Sequence, residues 1–97
     1  MSAAGAIVGR LVIERFADVA ATAGTAVVYS AVLPCVEAAA VLEAVGAGTT
    51  AVVGYVGAVG AAAVAGTPNA VVVVLRDAVT GAPIEGTVSR LTLLVRG

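Results

Sequence analysis

The amino-acid sequence predicts a mainly β fold, an antiparallel sandwich or barrel-like single domain that spans residues 1–97 and ends in a C-terminal β-hairpin. Three observations favour this fold. The apolar residues, 61% of the chain, are mostly Val and Ala and fall in short runs typical of strands. Twelve glycines and three prolines separate these runs and disfavour long helices. A chain of 97 residues is long enough for one core and leaves no room for a second.

The first predicted strand covers residues 6–16, AIVGRLVIERF. Its alternation places Leu11 and Ile13 on an apolar face and Glu14 on the opposite, polar face. Residues 1–5, MSAAG, precede this strand. Because they are small and terminal, we expect them to form a flexible or interface-bound N-terminal arm.

The second predicted strand covers residues 25–33, TAVVYSAVL, in which Val, Tyr and Thr dominate. Residues 34–45, which follow it, fit two structures. As a short helix they carry one apolar stripe, and the domain becomes α+β. As a strand they direct Leu42 toward the core and place Glu37 and Glu43 on the other face.

The longest uncharged stretch, residues 44–75, occupies the middle of the chain. Within it, residues 49–56 predict a strand that opens with two threonines. The glycines that follow disfavour a helix, since each costs roughly 1 kcal/mol relative to Ala. Residues 67–69, Thr-Pro-Asn, predict a turn. Residues 70–75, AVVVVL, predict a strand buried on both faces because every side chain is apolar.

The C-terminal hairpin is predicted from residues 70–79 and 84–95, which flank the turn-forming sequence Thr-Gly-Ala-Pro. The segment 76–88, RDAVTGAPIEGTV, resembles the D-x-x-T-G-x-P-I-x-G turn of bacterial Ig-like and carboxypeptidase-regulatory-like β-sandwich modules. That resemblance implies β structure in this part of the chain. Apolar and polar residues alternate along the second arm, and its apolar side consists of Leu91, Leu93 and Val95.

The composition excludes most enzyme chemistry, and we predict no catalytic, cofactor-binding or metal-binding residues. The chain has no histidine and no lysine, so the commonest general base and the Schiff-base and phosphate-loop lysines are missing. Glu37 and Glu43 are too far apart on a strand to act on one substrate. Asp77 lies beside Arg76, with Glu85 across the predicted turn, and these charges are interpreted as a local ion pair rather than a site.

Cysteine and charge content exclude further classes of protein. The single cysteine, Cys35, allows neither an intrachain disulfide nor a metal site built on a pair of cysteines. We predict that it is a small buried hydrophobic residue. Five unclustered arginines and a net charge of −1 argue against a nucleic-acid partner.

The function that fits these observations is a non-enzymatic structural subunit of a large symmetric assembly. Charged residues make up 11% of the chain, against about 25% in typical domains, so we expect neighbouring copies to cover its apolar surface. We predict a viral or phage capsid coat or decoration protein, in a virion or a cytoplasmic assembly, with copies of itself and a larger protein lattice as partners. The side chains expected at the contacts are arginine or aromatic: Arg10, Arg15, Phe16, Tyr29, Tyr55, Arg90 and Arg96.

Other functions are kept as alternatives. A strand followed by PCVEAAAVLEAVG and TTAVVGYVG resembles the core of bacterial microcompartment shell domains, which implies a shell protein or a small-molecule or protein-binding module on an α+β scaffold. The uncharged runs 19–36 and 44–75 are long enough to cross a bilayer. A small membrane protein is therefore a further alternative, although Pro34 and Pro68 interrupt these runs.

Overall fold

The computed structural model describes residues 10–97, so the predicted arm at residues 1–5 and the start of the predicted strand 6–16 lie outside the described residues. Six strands form two three-stranded antiparallel sheets, with strand orders β1-β6-β3 and β2-β5-β4. The strands are β1 (Leu11–Ala21), β2 (Thr25–Tyr29), β3 (Ala38–Gly46), β4 (Val52–Val59), β5 (Ala70–Asp77) and β6 (Gly86–Arg96). The mainly β prediction is confirmed. The two sheets pack over one core as an open sandwich and do not close into a barrel.

The core lies between β5 and β6, the central strands of the two sheets. The largest fully buried side chains all belong to these two strands: Val71, Val73, Leu75, Val88, Leu91, Leu93 and Val95. A central strand has a neighbour on each edge, so these residues are covered from the sides as well as from the facing sheet. Burying one such side chain stabilises the fold by roughly 1.5–3 kcal/mol. The alternation predicted for β6 is therefore confirmed.

The turn after β5 forms as predicted, but the two arms of the predicted hairpin do not stay together. The backbone N–H of Asp77 donates to the carbonyl of Ala82 at 2.8 Å, and that of Ile84 donates to the carbonyl of Leu75 at 3.1 Å. Beyond this turn β5 pairs with β2 and β4, whereas β6 pairs with β1 and β3. Each arm has one strongly apolar side, and the arms bury these sides by facing each other across the core. The predicted hairpin is thus corrected to a turn that links the two sheets.

Residues 34–45, predicted as either helix or strand, contribute β3, so the α+β alternative is wrong. β3 pairs with the edge of β6 that β1 leaves free. The predicted facing of this strand is also wrong at Leu42, which is 52% exposed. A register shift between Val41 and Glu43 interrupts the alternation there. Ala39, Val41 and Ala44 pack against the core instead.

The facing of β1 is the reverse of the predicted one. Leu11 and Ile13 are 69% and 64% exposed, whereas Glu14 is only 8% exposed. Farther along β1, Asp18 has a positive φ of 52°, which Asp tolerates better than most residues. Before Asp18 the even-numbered residues of β1 face the core, and after it the odd-numbered residues do, so Val19 is buried. Alternation alone does not tell which side of a strand faces the core.

The remaining elements lie close to the positions predicted from the sequence. The predicted strand 25–33 ends earlier, at Tyr29, and leads into a segment that crosses to the other sheet. The turn at residues 67–69 is confirmed by a hydrogen bond from the N–H of Ala70 to the carbonyl of Thr67. The described residues include one short 3-10 helix, Gly60–Ala62. No helix within residues 10–97 combines the length and the apolar character needed to cross a membrane.

Candidate protein interface

The outer face of the β2-β5-β4 sheet is almost free of charge, and we name it the tyrosine face. Strand pairing puts Val72 of β5 between Val27 of β2 and Ala58 of β4, and Val74 between Thr25 and Tyr55. Arg76 is the charged residue of this set. The tyrosine face consists of Thr25, Val27, Tyr29, Val53, Tyr55, Gly57, Val72, Val74 and Arg76.

Large apolar side chains lie open on the tyrosine face. The exposed fractions are 39% for Val27, 50% for Tyr29, 54% for Val53 and 57% for Tyr55. Gly57 lies beside the two valines of the central strand, and a β-carbon there would be 3.4 Å from a methyl group of Val74. The face is therefore flat at its centre and bears aromatic rings on the strands at either side. Tyrosine combines a large apolar area with a hydroxyl group, a combination enriched at protein interfaces.

The outer face of the β1-β6-β3 sheet carries aliphatic side chains bordered by arginine, and we name it the arginine face. Leu11 lies opposite Arg96, Ile13 opposite Leu94, and Arg15 opposite Thr92. A shallow depression of about 190 Å³ lies between Leu11 and Leu94 and the alanines of β3. The arginine face consists of Leu11, Ile13, Arg15, Ala17, Ala38, Ala40, Glu43, Arg90, Thr92, Leu94 and Arg96.

A polar cluster occupies one end of the arginine face. Nε of Arg90 donates to Oε1 of Glu43 at 3.0 Å, and its Nη2 donates to Oε2 at 3.1 Å. Thr92 Oγ1 donates to Glu43 Oε1, also at 3.1 Å. The hydrogen bonds from Arg90 and then Thr92 lower the pKa of Glu43 below its ordinary value of 4.5. The charge of Arg15 also lowers this pKa, so Glu43 interacts with two of the three arginines on this face. With three arginines and one glutamate, the residues of this face carry a net positive charge.

The predicted contact residues separate into two groups. Arg15, Arg90 and Arg96 lie on the arginine face, while Tyr29 and Tyr55 lie on the tyrosine face, on opposite sides of β5. The two others lie elsewhere. Phe16 is partly buried and packs against the core. Arg10 precedes β1, exchanges two backbone hydrogen bonds with Gly97, and is in phase with the inward Glu14 rather than with Arg15.

The four outer strands carry features that disfavour pairing with a further strand. β1 turns a carboxylate, Glu14, inward and has a positive φ at Asp18. β2 is only 5 residues long. β3 contains two register shifts, at Leu42 and between Val45 and Gly46, and β4 contains one, at Gly57. Short strands, bulges and inward charges protect sheet edges from association, so the two faces are better candidates for contacts than the edges.

An open groove of about 540 Å³ separates the outer strands β1 and β2. Phe16, Val19 and Val28 form its apolar part, and Arg15 and Asp18 lie along its rim. Within residues 10–97 each buried side-chain nitrogen and oxygen atom already has a hydrogen-bond partner. The groove therefore offers no buried polar group that a small ligand would satisfy.

The carboxylate of Glu14, on β1, binds the segment that directly follows β2 and so connects the two sheets, a role that the sequence did not predict. Ser30 Oγ donates to its Oε1 at 2.6 Å, and the N–H groups of Ala31 and Val32 donate to its two oxygens at 3.3 and 3.2 Å. Ser30 Oγ also accepts the N–H of Leu33 at 2.9 Å. The pair fixes the start of the segment that leaves β2. The only sequence signal for it is that Glu14 shares its phase with apolar Val12 and Phe16.

The charged residues around the β5–β6 turn bind backbone groups rather than one another. The carboxylate of Asp77 accepts the N–H groups of Thr80 and Val79, which lowers its pKa below the ordinary value of 3.8. Arg76 donates to the carbonyl of Gly81, and Glu85 accepts the N–H of Ala23. The local ion pair expected here is thus corrected to a set of side-chain–backbone hydrogen bonds.

Cys35 is exposed, so the prediction that it is buried is wrong. It lies in the segment that crosses between the sheets, in which the neighbouring Leu33 and Val36 are buried instead. Among residues 10–97 no three His, Cys, Asp or Glu side chains come close enough to hold a metal ion.

Comparison of the chain with protein-family models, with curated proteins and with solved structures found no match.

Proposed function

We propose that this protein is a non-enzymatic structural subunit of a homo-oligomeric assembly, in which copies pack through the outer faces of their sheets. The observation that carries the proposal is the set of large apolar side chains exposed on both faces. Leu11, Ile13, Val53 and Tyr55 are each more than half exposed. A side chain of this size gains roughly 1.5–3 kcal/mol when it is fully removed from water.

The arrangement of these side chains supports contacts between faces rather than between strand edges. The tyrosine face is flat, aromatic and aliphatic, and the arginine face has an aliphatic centre with a charged border. An apolar centre within a polar border is the usual anatomy of a protein interface. The outer strands, in contrast, carry the protective features described above.

A viral or phage coat or decoration protein is the specific form of the proposal that we adopt, with the virion as its location. It rests on the low charge and the small apolar side chains of the sequence, which suit a subunit that gives much of its surface to neighbours. The microcompartment-like alternative is less well supported because the helix it expects over residues 34–45 is replaced by strand β3.

The test of self-assembly is the mass of the purified protein in solution, measured by light scattering after size exclusion at up to about 0.5 mM, a concentration that detects weak contacts. We expect a mass above the 9.3 kDa of one chain. Val53→Ser on the tyrosine face is expected to lower this mass. Val79→Ser is the matched control, since Val79 is 85% exposed in the β5–β6 turn, outside both faces. A wild-type protein that remains monomeric throughout this range overturns the proposal.

A further inference from the structure

The groove between β1 and β2 lies along the free edge of β1, the edge that faces away from β6. Resting on the proposed self-assembly, we propose that residues 1–9 of one copy bind as a short strand in the β1–β2 groove of a second copy. The occupant is thus a named segment of this same chain. The contact consists of main-chain hydrogen bonds to β1 and of apolar side chains that enter the groove.

The free edge of β1 has main-chain groups available for an added strand. The N–H and carbonyl groups of Arg10 bond to Gly97 at 2.7 and 3.1 Å, so the main chain of Arg10 is directed at β6. This direction alternates from residue to residue in an antiparallel ladder, and the pairing with β6 is regular over residues 11–17. The odd-numbered residues of this range therefore direct their N–H and carbonyl groups away from β6. On that side β1 pairs with no other strand among residues 10–97.

The groove meets this edge rather than one face of the sheet. It is lined by the consecutive residues 15–20 of β1 and 27–29 of β2, and consecutive residues of a strand point to opposite faces. Its volume is about 540 Å³, and its apolar part is formed by Phe16, Val19 and Val28. A strand added to β1 here would place alternate side chains over this apolar part.

The features that protect β1 limit an added strand to a short one. The positive φ of 52° at Asp18 interrupts the strand, so regular pairing is available over residues 11–17, which span roughly 20 Å. The inward carboxylate of Glu14 is already bound by Ser30 and by two backbone N–H groups, so it needs no further partner. A long partner strand would run into the irregular backbone at Asp18, whereas a segment of nine residues matches the regular part.

Residues 1–9, MSAAGAIVG, suit this edge in size and charge. They include no charged side chain, so none has to be removed from water as the segment passes Arg15 and Asp18 at the rim of the groove. Ile7 and Val8 are β-branched, a residue class favoured in strands. Apart from Met1 the other side chains are small, which allows the segment to lie close to β1.

The position of Arg10 favours a second copy over the same copy. Because Arg10 is held in the ladder, the chain enters β1 at the end that lies away from the groove. Even a turn at Gly9, the latest position for a reversal, would place Ile7 beside Val12 of its own copy. Phe16 lies four residues beyond Val12, about 13 Å along the strand. A segment from a second copy is free of this restriction and can place Ile7 over Phe16.

An NMR titration between two variants of the full chain tests this contact. Ile7→Asp places a charge in the segment and leaves the groove intact. Ala17→Pro removes an N–H group from the free edge of β1 and leaves the segment intact, and proline is tolerated where an edge strand's N–H points outward. Ile7→Val and Ala17→Ser are the matched controls. Circular dichroism checks the fold of each variant, and Arg15→Pro is the replacement if Ala17→Pro does not fold.

We expect unlabelled Ala17→Pro, added at up to about 0.5 mM, to shift the amide signals of residues 15–20 and 27–29 in ¹⁵N-labelled Ile7→Asp. A titrant that carries both substitutions should shift none of them. Ile7→Asp and Ala17→Pro should each lower the mass of the assembly, whereas the two controls should keep it.

Two results would overturn the inference and leave self-assembly in place. One is an assembling wild type whose variants give no shifts at these residues. The other is a dilute, monomeric wild type whose groove signals differ from those of Ile7→Asp, since this would show that each segment occupies its own groove. A wild type that remains monomeric throughout the concentration range would instead overturn the proposed function.

Discussion

The two sheets of this sandwich have the same strand number, the same antiparallel pairing and a common core, yet their outer faces differ in chemistry. The tyrosine face presents aromatic and aliphatic side chains with Arg76 as its charge. The arginine face places Leu11 and Ile13 beside three arginines and a bound Glu43. The inner faces form the common core, whereas the outer faces present the exposed side chains of the candidate interface. Whether a side chain is available for contacts depends here more on the sheet face on which it lies than on its position in the sequence pattern.

The largest expected effect tests whether both faces depend on one core. Leu75 and Leu91 are each fully buried, one in either sheet, and we expect Leu75→Ala and Leu91→Ala each to lower the free energy of unfolding by roughly 2–5 kcal/mol. Urea denaturation measures this, with Leu42→Ala as the exposed control. If one of these two variants lowers the free energy of unfolding by less than about 1 kcal/mol, the sheet that carries that leucine does not depend on the common core.

The next prediction concerns the hydrogen bonds by which Glu14 connects the two sheets. Glu14→Gln replaces an oxygen that accepts hydrogen bonds with an amide group that donates them, in a buried position facing Ser30 and the N–H groups of Ala31 and Val32. We expect a loss of about 1–3 kcal/mol in the free energy of unfolding. Glu37→Gln, at an exposed position, is the control. Equal stability of the two variants would contradict the role assigned to Glu14.

The third prediction compares how much each face contributes to the affinity between copies. Tyr55→Ser removes an aromatic ring from the tyrosine face, and we expect it to raise the dissociation constant of the assembly about tenfold, equal to about 1.4 kcal/mol. Arg15→Ser, at the border of the arginine face, should raise it less, because border charges contribute little to affinity. Dilution series in the analytical ultracentrifuge measure both. A larger effect at Arg15 would reverse the assigned order.

The smallest effect is the dependence of stability on acid. The pKa of Glu43 is lowered by Arg90 and Thr92, so its contribution to folding stability is complete above the ordinary value of 4.5 and is lost as the pH falls through the lower folded value. The pKa of Asp77 is also lowered, so its contribution is complete above the ordinary value of 3.8 and is lost as the pH falls through its own lower folded value. Thermal unfolding between about pH 7 and 2 measures this. Glu43→Gln should flatten the stability profile below pH 4.5, and an unchanged profile would contradict the assignment.

Much of the fold follows from local patterns in the sequence. The β-branched run 70–75 and the alternation of Leu91, Leu93 and Val95 predict the two central strands because buried strands need apolar side chains at regular intervals. The turn at 67–69 follows from Pro and Asn.

Long-range pairing is not visible in the sequence in this way. The arms of the expected hairpin pair with other strands, which depends on where the rest of the chain packs. The inward facing of Glu14 depends on Ser30, 16 residues away, and the exposed position of Leu42 depends on a bulge.

The candidate interface was predictable in its residue types but not in its arrangement. Composition pointed to Tyr29, Tyr55 and the arginines, since these side chains are enriched at interfaces. The two tyrosines share a face only because β2 and β4 both pair with β5, a relation that no spacing in the sequence encodes. Leu11 and Ile13 were expected on the apolar side of β1, and their location on the outer face came from the structure alone.

The order of the strands has a consequence for synthesis. Along the chain, β1–β2, β2–β3, β3–β4 and β5–β6 each change sheet, and only β4–β5 remains within one. β1 and β3 meet only through β6, which is the last of the six described strands to leave the ribosome. The surface that carries Leu11 and Ile13 therefore does not exist on a partly made chain. Until β6 has been made, the inner sides of β1 and β3 lack the central strand with which both pair. Partly made chains therefore expose unpaired strand edges and apolar surface, which favour association between nascent chains on one messenger.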